Sequence, residues 1–416
     1  MQQLQATILA KTSPKACRAH IKTCLDEATE SLPHPTPTDH SRELLIWQYS
    51  FLLLRLHQIP PTPDTHEITQ YTTHLHALRS LSHQNSDFQL EELSYLLEIR
   101  HTLVHNLPTT NIDQLLLQAA QTSAQMRQEH MQLSLMRMLL HILYLTRLGN
   151  GIAAATKLRE HHQMMDSAFT NDKDHWRSTG KFEIFVCGGQ HRLVFDWFTQ
   201  VESFVFGYLL SGIVNLPDNG VQKAASFLSE GNRVVDGNFP LPAFRGLIIG
   251  MMSGEMYDSE GWLCETMGRR ELLLRLKRYA LLYGCFAALL RSNIQDARTG
   301  INTLKTTQTN SPPDPTFSYL VHLLDGTYHQ FCGKLDQALD SYSKIPPEAR
   351  DIYILSLLNS TLILRQGTPA QQSRAKRFVD EIERRILQRQ PSPQLEAAYH
   401  LIRGVTNTEL LTSKSP

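Results

Sequence analysis

The chain has 416 residues, and its 40 Lys and Arg residues balance 40 Asp and Glu residues, so the formal net charge is zero. Hydrophobic residues make up 41% of the sequence and charged residues 19%, a composition that excludes a natively disordered chain. A dedicated nucleic-acid-binding protein usually has a basic excess, so any contact with DNA is expected to be local or made through a partner. The length exceeds the roughly 250–300 residues of a single hydrophobic core, which predicts several domains or an elongated repeat array.

Cysteine usage and the apolar runs indicate an intracellular protein. The six cysteines are scattered and none forms a C-x-x-C pair, so reduced thiols in the cytosol or nucleus are expected. Residues 1–10 lack a basic start followed by a long apolar run, so no signal peptide is expected. No run of about 18 apolar residues occurs, so no membrane span is expected either.

Apolar residues recur at helical spacing along most of the chain. Such runs occupy residues 44–54, 90–103, 115–119 and 133–145. The best strand candidate is Lys181–Val186, but a single strand would leave its backbone groups without partners. This segment is therefore expected to be helical or irregular, and the fold class predicted is all-α.

A repeated spacing of small residues links successive helices. Gly326 and Ala338 lie twelve positions apart on either side of a turn, with Tyr342 four positions later, and Gly333 recurs as Gly367 after thirty-four positions. This spacing is typical of tetratricopeptide (TPR) hairpins, whose period is roughly 34 residues. The same spacing recurs in Gly212, Ala224 and Leu228, in Cys285, Ala297 and Ile301, and in Ile142, Ala154 and Leu158. The pattern predicts a TPR-like helical-hairpin superhelix, an α-solenoid. The residues expected to pack its repeats together are Gly212, Ala224, Gly326, Ala338 and Tyr342.

Proline and glycine clusters divide this array, because proline removes a helical hydrogen bond and clashes with the preceding turn. The breaks predict four segments. These are divergent helical repeats at 1–110, TPR-like repeats at 111–235, an irregular insertion at 236–268 and C-terminal TPR-like repeats at 269–416.

Residues that could carry chemistry form no catalytic or metal-binding constellation. His101 and His105 have the four-residue spacing of a zinc pair on one helix face, but the glutamate of an H-E-x-x-H motif and a third ligand are missing. Helix packing or surface exposure is the favoured interpretation of both. The sequence also contains no phosphate loop, dinucleotide fingerprint or nucleophile elbow. It therefore predicts no catalytic residue, no cofactor and no metal.

Two basic clusters are candidates for contact with a partner or with DNA. The first cluster consists of Arg269, Arg270, Arg275, Lys277 and Arg278, and the second of Arg374, Lys376, Arg377, Arg384, Arg385 and Arg389. The arginines expected to make the contact are Arg269, Arg270, Arg374, Arg377, Arg384 and Arg385. Such side chains can bind DNA phosphates or acidic partner segments. Asp380, Glu381 and Glu383 are interleaved in the second cluster, so an ordinary solvated helix face is the favoured alternative.

Two stretches resemble a known family. The first, residues 195–231, has matching positions at Phe195, Trp197, Glu202, Tyr208, Leu209, Lys223 and Ala224. The second, residues 279–364, has matching positions at Asp336, Gln337, Ala338, Leu357, Leu358 and Asn359. The pattern resembles the small subunit of the cohesin loader, the Mau family of sister-chromatid-cohesion proteins, over about residues 130–390.

The resemblance implies a scaffold without catalysis. In that family a TPR superhelix binds the extended N-terminal segment of the large HEAT-repeat loader subunit, and the pair loads the cohesin ring onto chromatin. A nuclear location, a role in targeting the loader to chromatin and a weak or partner-mediated contact with DNA are implied as well. The end at Pro416 and the Gly-rich residues 253–268 depart from the family pattern, which puts contacts of the terminal repeats in doubt.

Two other interpretations stay open from the sequence. The chain could be another TPR adaptor, such as a chaperone cofactor, a proteasome-lid-like subunit or an assembly factor, that binds a peptide segment in its concave groove. It could also contain an enzyme or regulatory receptor domain within its helices. Stoichiometric co-purification with a very large HEAT-repeat protein distinguishes the loader subunit from the other adaptors.

Overall fold

The computed structural model describes residues 23, 39–57, 64–105, 107–127, 129–170, 179–217, 220–236, 269–309, 315–388 and 393–412. Within these ranges the chain is almost entirely helical, in the all-α helical-hairpin solenoid class that the sequence predicts. The predicted insertion at 236–268 lies outside the described residues, apart from Asp236. None of the helices in the described ranges has both the length and the hydropathy of a membrane span.

The helices and strands follow one another in short hairpins. In chain order they are α1 (Asp39–His57), α2 (Thr65–Gln84), α3 (Phe88–Val104), α4 (Ile112–Ala124), α5 (Met131–Arg147), α6 (Gly151–Thr170), β1 (Lys181–Val186), β2 (His191–Asp196), α7 (Gln200–Asn215), α8 (Val221–Val235), α9 (Arg269–Leu290), α10 (Ile294–Thr309), α11 (Pro315–Phe331), α12 (Leu335–Ser343), a 3₁₀ turn (Pro347–Ala349), α13 (Asp351–Leu364), α14 (Pro369–Gln388) and α15 (Pro393–Thr412). The chain forms two compact units. The described residues of the first lie within 23–144 and 157–200, and those of the second within 145–156, 201–236 and 269–412.

The expectation that Lys181–Val186 is helical or irregular is wrong. This segment is β1, and it pairs in antiparallel register with β2, so its backbone groups have the partner that a lone strand lacks. The turn between the strands contains Cys187, Gly188 and Gly189 at φ values of 55°, 70° and 87°. Two of these are glycines, which adopt positive φ without steric cost. A hairpin signal was therefore present in the sequence after the first strand.

The inner face of the hairpin belongs to the hydrophobic core of the first unit. Phe182, Ile184, Val186 and Phe195 are buried there with apolar residues of α1–α5, and the Phe182 and Phe195 rings stack at 5.4 Å. The alternation along β1 points every second side chain into this core. Burial against the helices therefore stabilises a two-stranded sheet that would be marginal alone.

Asp87 joins the hairpin to the helices. It precedes α3, and its carboxylate accepts hydrogen bonds from the Tyr49 hydroxyl and from the Cys187 amide, both at 2.8 Å. Burial raises the pKa of the Asp87 carboxyl, while these hydrogen bonds act in the opposite direction. One side chain thus holds α1, the start of α3 and the β-turn together.

The same backbone turn closes four helical hairpins. Ser86, Gly149, Ser292 and Gly333 lie at φ values of 58°, 74°, 58° and 71° just after the first helix of each hairpin. In each turn the next amide donates to a carbonyl five residues earlier: Asp87 to Ser82, Asn150 to Leu145, Asn293 to Ala288 and Lys334 to His329. This is the Schellman arrangement, which satisfies carbonyls at a helix end. The shared turn fixes the register of the two helices in all four hairpins.

The helices approach most closely at one position of this register. A Cβ added to Gly326 would lie 2.4 Å from the Tyr342 ring, and a Cβ added to Gly212 would lie 2.4 Å from Leu228. Both pairs are sixteen residues apart, and Ala224 and Ala338 are fully buried nearby on the second helices. Glycine at the first position thus allows a large side chain of the second helix to lie directly on the backbone of the first.

The α2–α3 hairpin of the first unit has the same sixteen-residue spacing but a different pair of side chains at the two positions. Arg79 and Tyr95 are sixteen residues apart across the α2–α3 turn, and the Arg79 guanidinium lies 3.9 Å from the centroid of the Tyr95 ring. A flat guanidinium can stack on an aromatic face where other hairpins place glycine. The spacing of small residues cannot detect this hairpin, which is why residues 1–110 match the sequence pattern least well.

Two glycines of α7 give a matched test of the close approach. Gly212→Ala is expected to lower the free energy of unfolding by about 1–3 kcal/mol, because the buried Leu228 side chain has no room to move away. Gly207→Ala places its Cβ in open space and should raise stability by up to about 1 kcal/mol through helix propensity. Urea unfolding followed by circular dichroism measures both; equal effects of the same sign would contradict the packing described.

Candidate partner-binding surfaces

Three side chains of the first basic cluster contact other residues of the same chain. Glu202 on α7 is 1% exposed, and its carboxylate accepts a hydrogen bond from Arg269 Nη1 at 2.8 Å. Lys277 pairs with Asp236 at 2.5 Å, and the buried Arg278 lies 5.5 Å from the Phe317 ring centroid. A buried carboxylate needs a counter-charge, so Arg269 stabilises the packing of α9 on α7. The Arg270 side chain lies outside the described part of the structure.

The second cluster divides into a paired and an exposed half on α14. Arg384 and Arg385 both donate to Glu381, and the Arg385 guanidinium also lies 4.8 Å from the Tyr353 ring centroid. These two arginines therefore have their charge compensated locally.

The exposed half consists of Arg374, Lys376 and Arg377, here called the α14 basic surface. The Arg374 guanidinium lies 5.3 Å from the Phe378 ring centroid, and all three side chains are exposed. Within the described residues, Lys376 and Arg377 form no ion pair. Of the six predicted arginines, Arg374 and Arg377 are thus the ones that the structure places at the surface without a carboxylate partner.

A cleft of about 400 Å³ in the first unit is a second candidate surface, formed by α4, α5 and α6. Its apolar wall includes Met138 and the 58% exposed Leu117, and its polar wall includes Arg137, His141 and Lys157. Asp113 also lines the cleft, and Arg137 and Lys157 each pair with a glutamate of the chain, so the cleft combines apolar and polar groups without an uncompensated charge of one sign. This cleft has no signature in the sequence, because its lining residues come from three helices and share no spacing.

Arg137 in this cleft also neutralises a buried acid. Its guanidinium pairs with Glu92, which is fully buried, and with Glu129 at 3.0 Å. Burial raises the pKa of Glu92 to about 7, and the Arg137 charge opposes that rise. The ion pair with the buried Glu92 therefore fixes the position of Arg137 in the wall of the cleft.

The predicted zinc-pair spacing of His101 and His105 has a packing explanation. The His101 ring is 6% exposed and stacks on Tyr71, with centroids 3.9 Å apart, and the His105 ring lies 4.5 Å away. Among the described residues, no three His, Cys, Asp or Glu side chains come together as a metal site. His101 belongs to the helix interface.

A comparison with protein families decides which kind of protein carries these surfaces. The family model for cohesin loading factor matches residues 1–415. The chain belongs to the cohesin loading factor family. Neither the curated proteins nor the solved structures gave a match.

The family assignment confirms the predicted resemblance and extends it beyond residues 130–390 to the whole chain. This cohesin loading factor therefore has a role in loading cohesin. Glu202, one of the positions that carried the resemblance, has a structural role as the buried partner of Arg269. Ala224 and Ala338, two others, are buried between the helices of their hairpins.

Alanine substitutions of Arg269 and Arg377 should distinguish an arginine that stabilises the fold from one that is only exposed. Arg269→Ala leaves the buried Glu202 carboxylate without its ion pair and is expected to lower the free energy of unfolding by about 2 kcal/mol. Arg377→Ala removes an exposed charge and should change stability by less than about 0.5 kcal/mol. Chemical unfolding of both variants measures the difference; a neutral Arg269→Ala would show that the ion pair is dispensable.

His101 should make the stability of the protein depend on pH. Burial, followed by the nearby His105 and Arg100, lowers the pKa of His101 from 6.5 to about 4. The unfolded state therefore binds the proton first, and the contribution of His101 to stability is lost as the pH falls from about 6.5 to about 4. His101→Phe keeps a ring on Tyr71 and removes the proton site. Its stability relative to the wild type should rise as the pH is lowered through this window, as measured by thermal unfolding; a pH-independent difference would contradict the assignment.

Proposed function

We propose that this cohesin loading factor is a non-enzymatic scaffold that binds the extended N-terminal segment of the large HEAT-repeat loader subunit and helps to target the loader to chromatin in the nucleus. The family match over residues 1–415 is the observation that carries the proposal. The cohesin ring and chromatin are then reached indirectly, through the loader. No membrane is involved.

The exposed apolar residues of the second unit support a protein partner. Three hairpin turns of this unit each carry two exposed apolar side chains, one before and one after the turn. These pairs are Leu148 and Ile152, Leu290 and Ile294, and Phe331 and Leu335. Clustered exposed apolar residues mark interaction sites more often than isolated ones. Two of the pairs, Leu290 with Ile294 and Phe331 with Leu335, lie two residues before and two residues after the left-handed residue of their turns, so they suit a partner that contacts the α9–α10 and α11–α12 turns in the same way.

An extended partner also fits the energetics of a helical array. Ordering a flexible segment costs conformational entropy, so tight binding needs a contact spread over many residues. The apolar turns, the cleft beside Arg137 and the α14 basic surface offer such separate small contacts. Contact with DNA stays minor in this proposal. The three cations on α14 can neutralise only about three phosphates, which gives a modest, salt-sensitive affinity.

The test is co-purification followed by a binding measurement. The tagged chain, recovered from nuclear extract, should bring down a HEAT-repeat loader subunit in equimolar amount, and deletion of that subunit's N-terminal segment should abolish recovery. The purified segment should also raise the thermal midpoint of the chain, because binding to the folded state adds stability by mass action. An unchanged midpoint at saturating segment, or a different stoichiometric partner, would refute the proposal.

Charge placed at a turn gives a residue-level check. Phe331→Asp combined with Leu335→Asp is expected to weaken binding of the segment at least about tenfold, since two apolar contacts of over 1 kcal/mol in total are lost. Leu401→Asp is the matched control, because Leu401 is a 69% exposed leucine within helix α15 and does not flank a hairpin turn. Isothermal titration calorimetry measures both affinities. Equal weakening by the two variants would show that the turns have no special role.

A further inference from the structure

The two edges of the β-hairpin differ in their hydrogen bonding. On the outer edge of β1, the Phe185 amide donates to Gln89 Oε1 at 3.0 Å, and the Glu183 carbonyl accepts from His130 Nε2 at 2.9 Å. Side chains of α3 and of the segment before α5 thus occupy backbone groups that would otherwise be open. The β1 edge is closed by its own unit.

The phase of the ladder shows which backbone groups of β2 point outward. The Trp197 amide donates to the Gly180 carbonyl at 2.6 Å, and bonded pairs alternate along an antiparallel ladder. Bonded pairs are therefore Phe182 with Phe195 and Ile184 with Leu193. The same alternation makes Val186 with His191 the next bonded pair. Val194 and Arg192 each fall between two bonded residues of β2, so their N–H and C=O groups point away from β1.

These outward groups form an open strand edge. Within the described residues, the backbone of Arg192 and Val194 has no hydrogen-bond partner on that side. The Arg192 side chain is 66% exposed and the neighbouring His191 is exposed as well. An open edge of this kind can accept a further strand, and proteins usually cover or blunt it.

The side chains next to the edge define what a further strand would carry. Arg192, Val194 and Asp196 alternate with the core-facing Leu193 and Phe195, so they lie on the outer face. Arg192 pairs with Glu183 at 2.8 Å across the hairpin and remains largely exposed. Cross-strand neighbours of opposite charge stabilise a sheet. A strand that complements these side chains would have an acidic residue beside Arg192 and a β-branched residue beside Val194.

We propose that β2 binds an extended segment of the partner protein as a third strand of this sheet. The inference rests on the proposed function, because the occupant is the extended segment of the large loader subunit. Main-chain hydrogen bonds to Arg192 and Val194 supply the affinity, and the outer-face side chains supply the selectivity.

The size of the edge favours this occupant over a second copy of the chain. A stable dimer usually buries about 1,200–2,000 Å² in total, far more than one pair of six-residue strands provides. A segment that is already held at other sites on the same chain pays less to add one strand, because tethering raises its effective concentration. The edge is therefore suited to be one contact among several.

Hydrogen–deuterium exchange on the full-length wild-type chain tests the strand directly. The probe is the purified N-terminal segment of the large loader subunit at saturating concentration. The amides of Arg192 and Val194 should exchange at least about fivefold more slowly in the complex, as expected for backbone hydrogen bonds worth about 1 kcal/mol each. Bound segment with no change at these amides would overturn the proposal.

Two substitutions at one position provide the matched pair. Val194→Pro removes an outward amide that the β1–β2 ladder does not use, so the hairpin should persist. It is expected to weaken the segment's Kd roughly tenfold, whereas Val194→Thr keeps the amide and should change it less than about twofold. Unchanged thermal midpoints check the fold, and Arg192→Glu gives a second, charge-based loss of affinity.

The outcomes separate the two levels of the proposal. If the wild type fails to bind the segment, the proposed function fails. If wild type and Val194→Pro bind it equally, only the third strand is refuted. A concentration-dependent dimer of the free chain in sedimentation velocity, lost in Val194→Pro, would assign the edge to a second copy and overturn the inference.

Discussion

The close approach of two helix backbones within each hairpin is the constraint on which the rest of the fold depends. In three hairpins a residue of the first helix must leave room for the side chain sixteen residues later. Glycine does so beneath Tyr342 and Leu228, and a flat guanidinium does so against Tyr95. The left-handed residue of the turn sets this register, because it fixes where the second helix begins.

The same packing determines which charges are available at the surface. Glu202 and Glu92 are buried between helices, and each would be costly without the arginine beside it. Arg269 and Arg137 are therefore part of the interior, although their side chains reach the surface. A chain with equal numbers of acidic and basic residues that pairs them in this way has little net field for steering a nucleic acid.

Local features were predictable from the sequence, and features that depend on distant residues were not. The helices and the glycine positions follow from periodicity and spacing within about forty residues. The β-hairpin needed a second strand and a core built from α1–α5, so Lys181–Val186 was misread when considered alone. Arg269 could not be told apart from Arg377 by charge, because Glu202 lies sixty-seven residues earlier in the chain. The α2–α3 hairpin escaped notice because Arg79 stands where the pattern expects a small residue.

These constraints also explain where recognition can arise in such a protein. Several side-chain charges pair within the chain, so the groups left for a partner are the ones that folding does not satisfy locally. They are the apolar residues that flank the hairpin turns, the cations of the α14 basic surface and the backbone of an edge strand. Each is weak, since an exposed apolar contact or one backbone hydrogen bond is worth only about 1 kcal/mol. In the proposed function the affinity therefore comes from several such contacts made by one flexible chain.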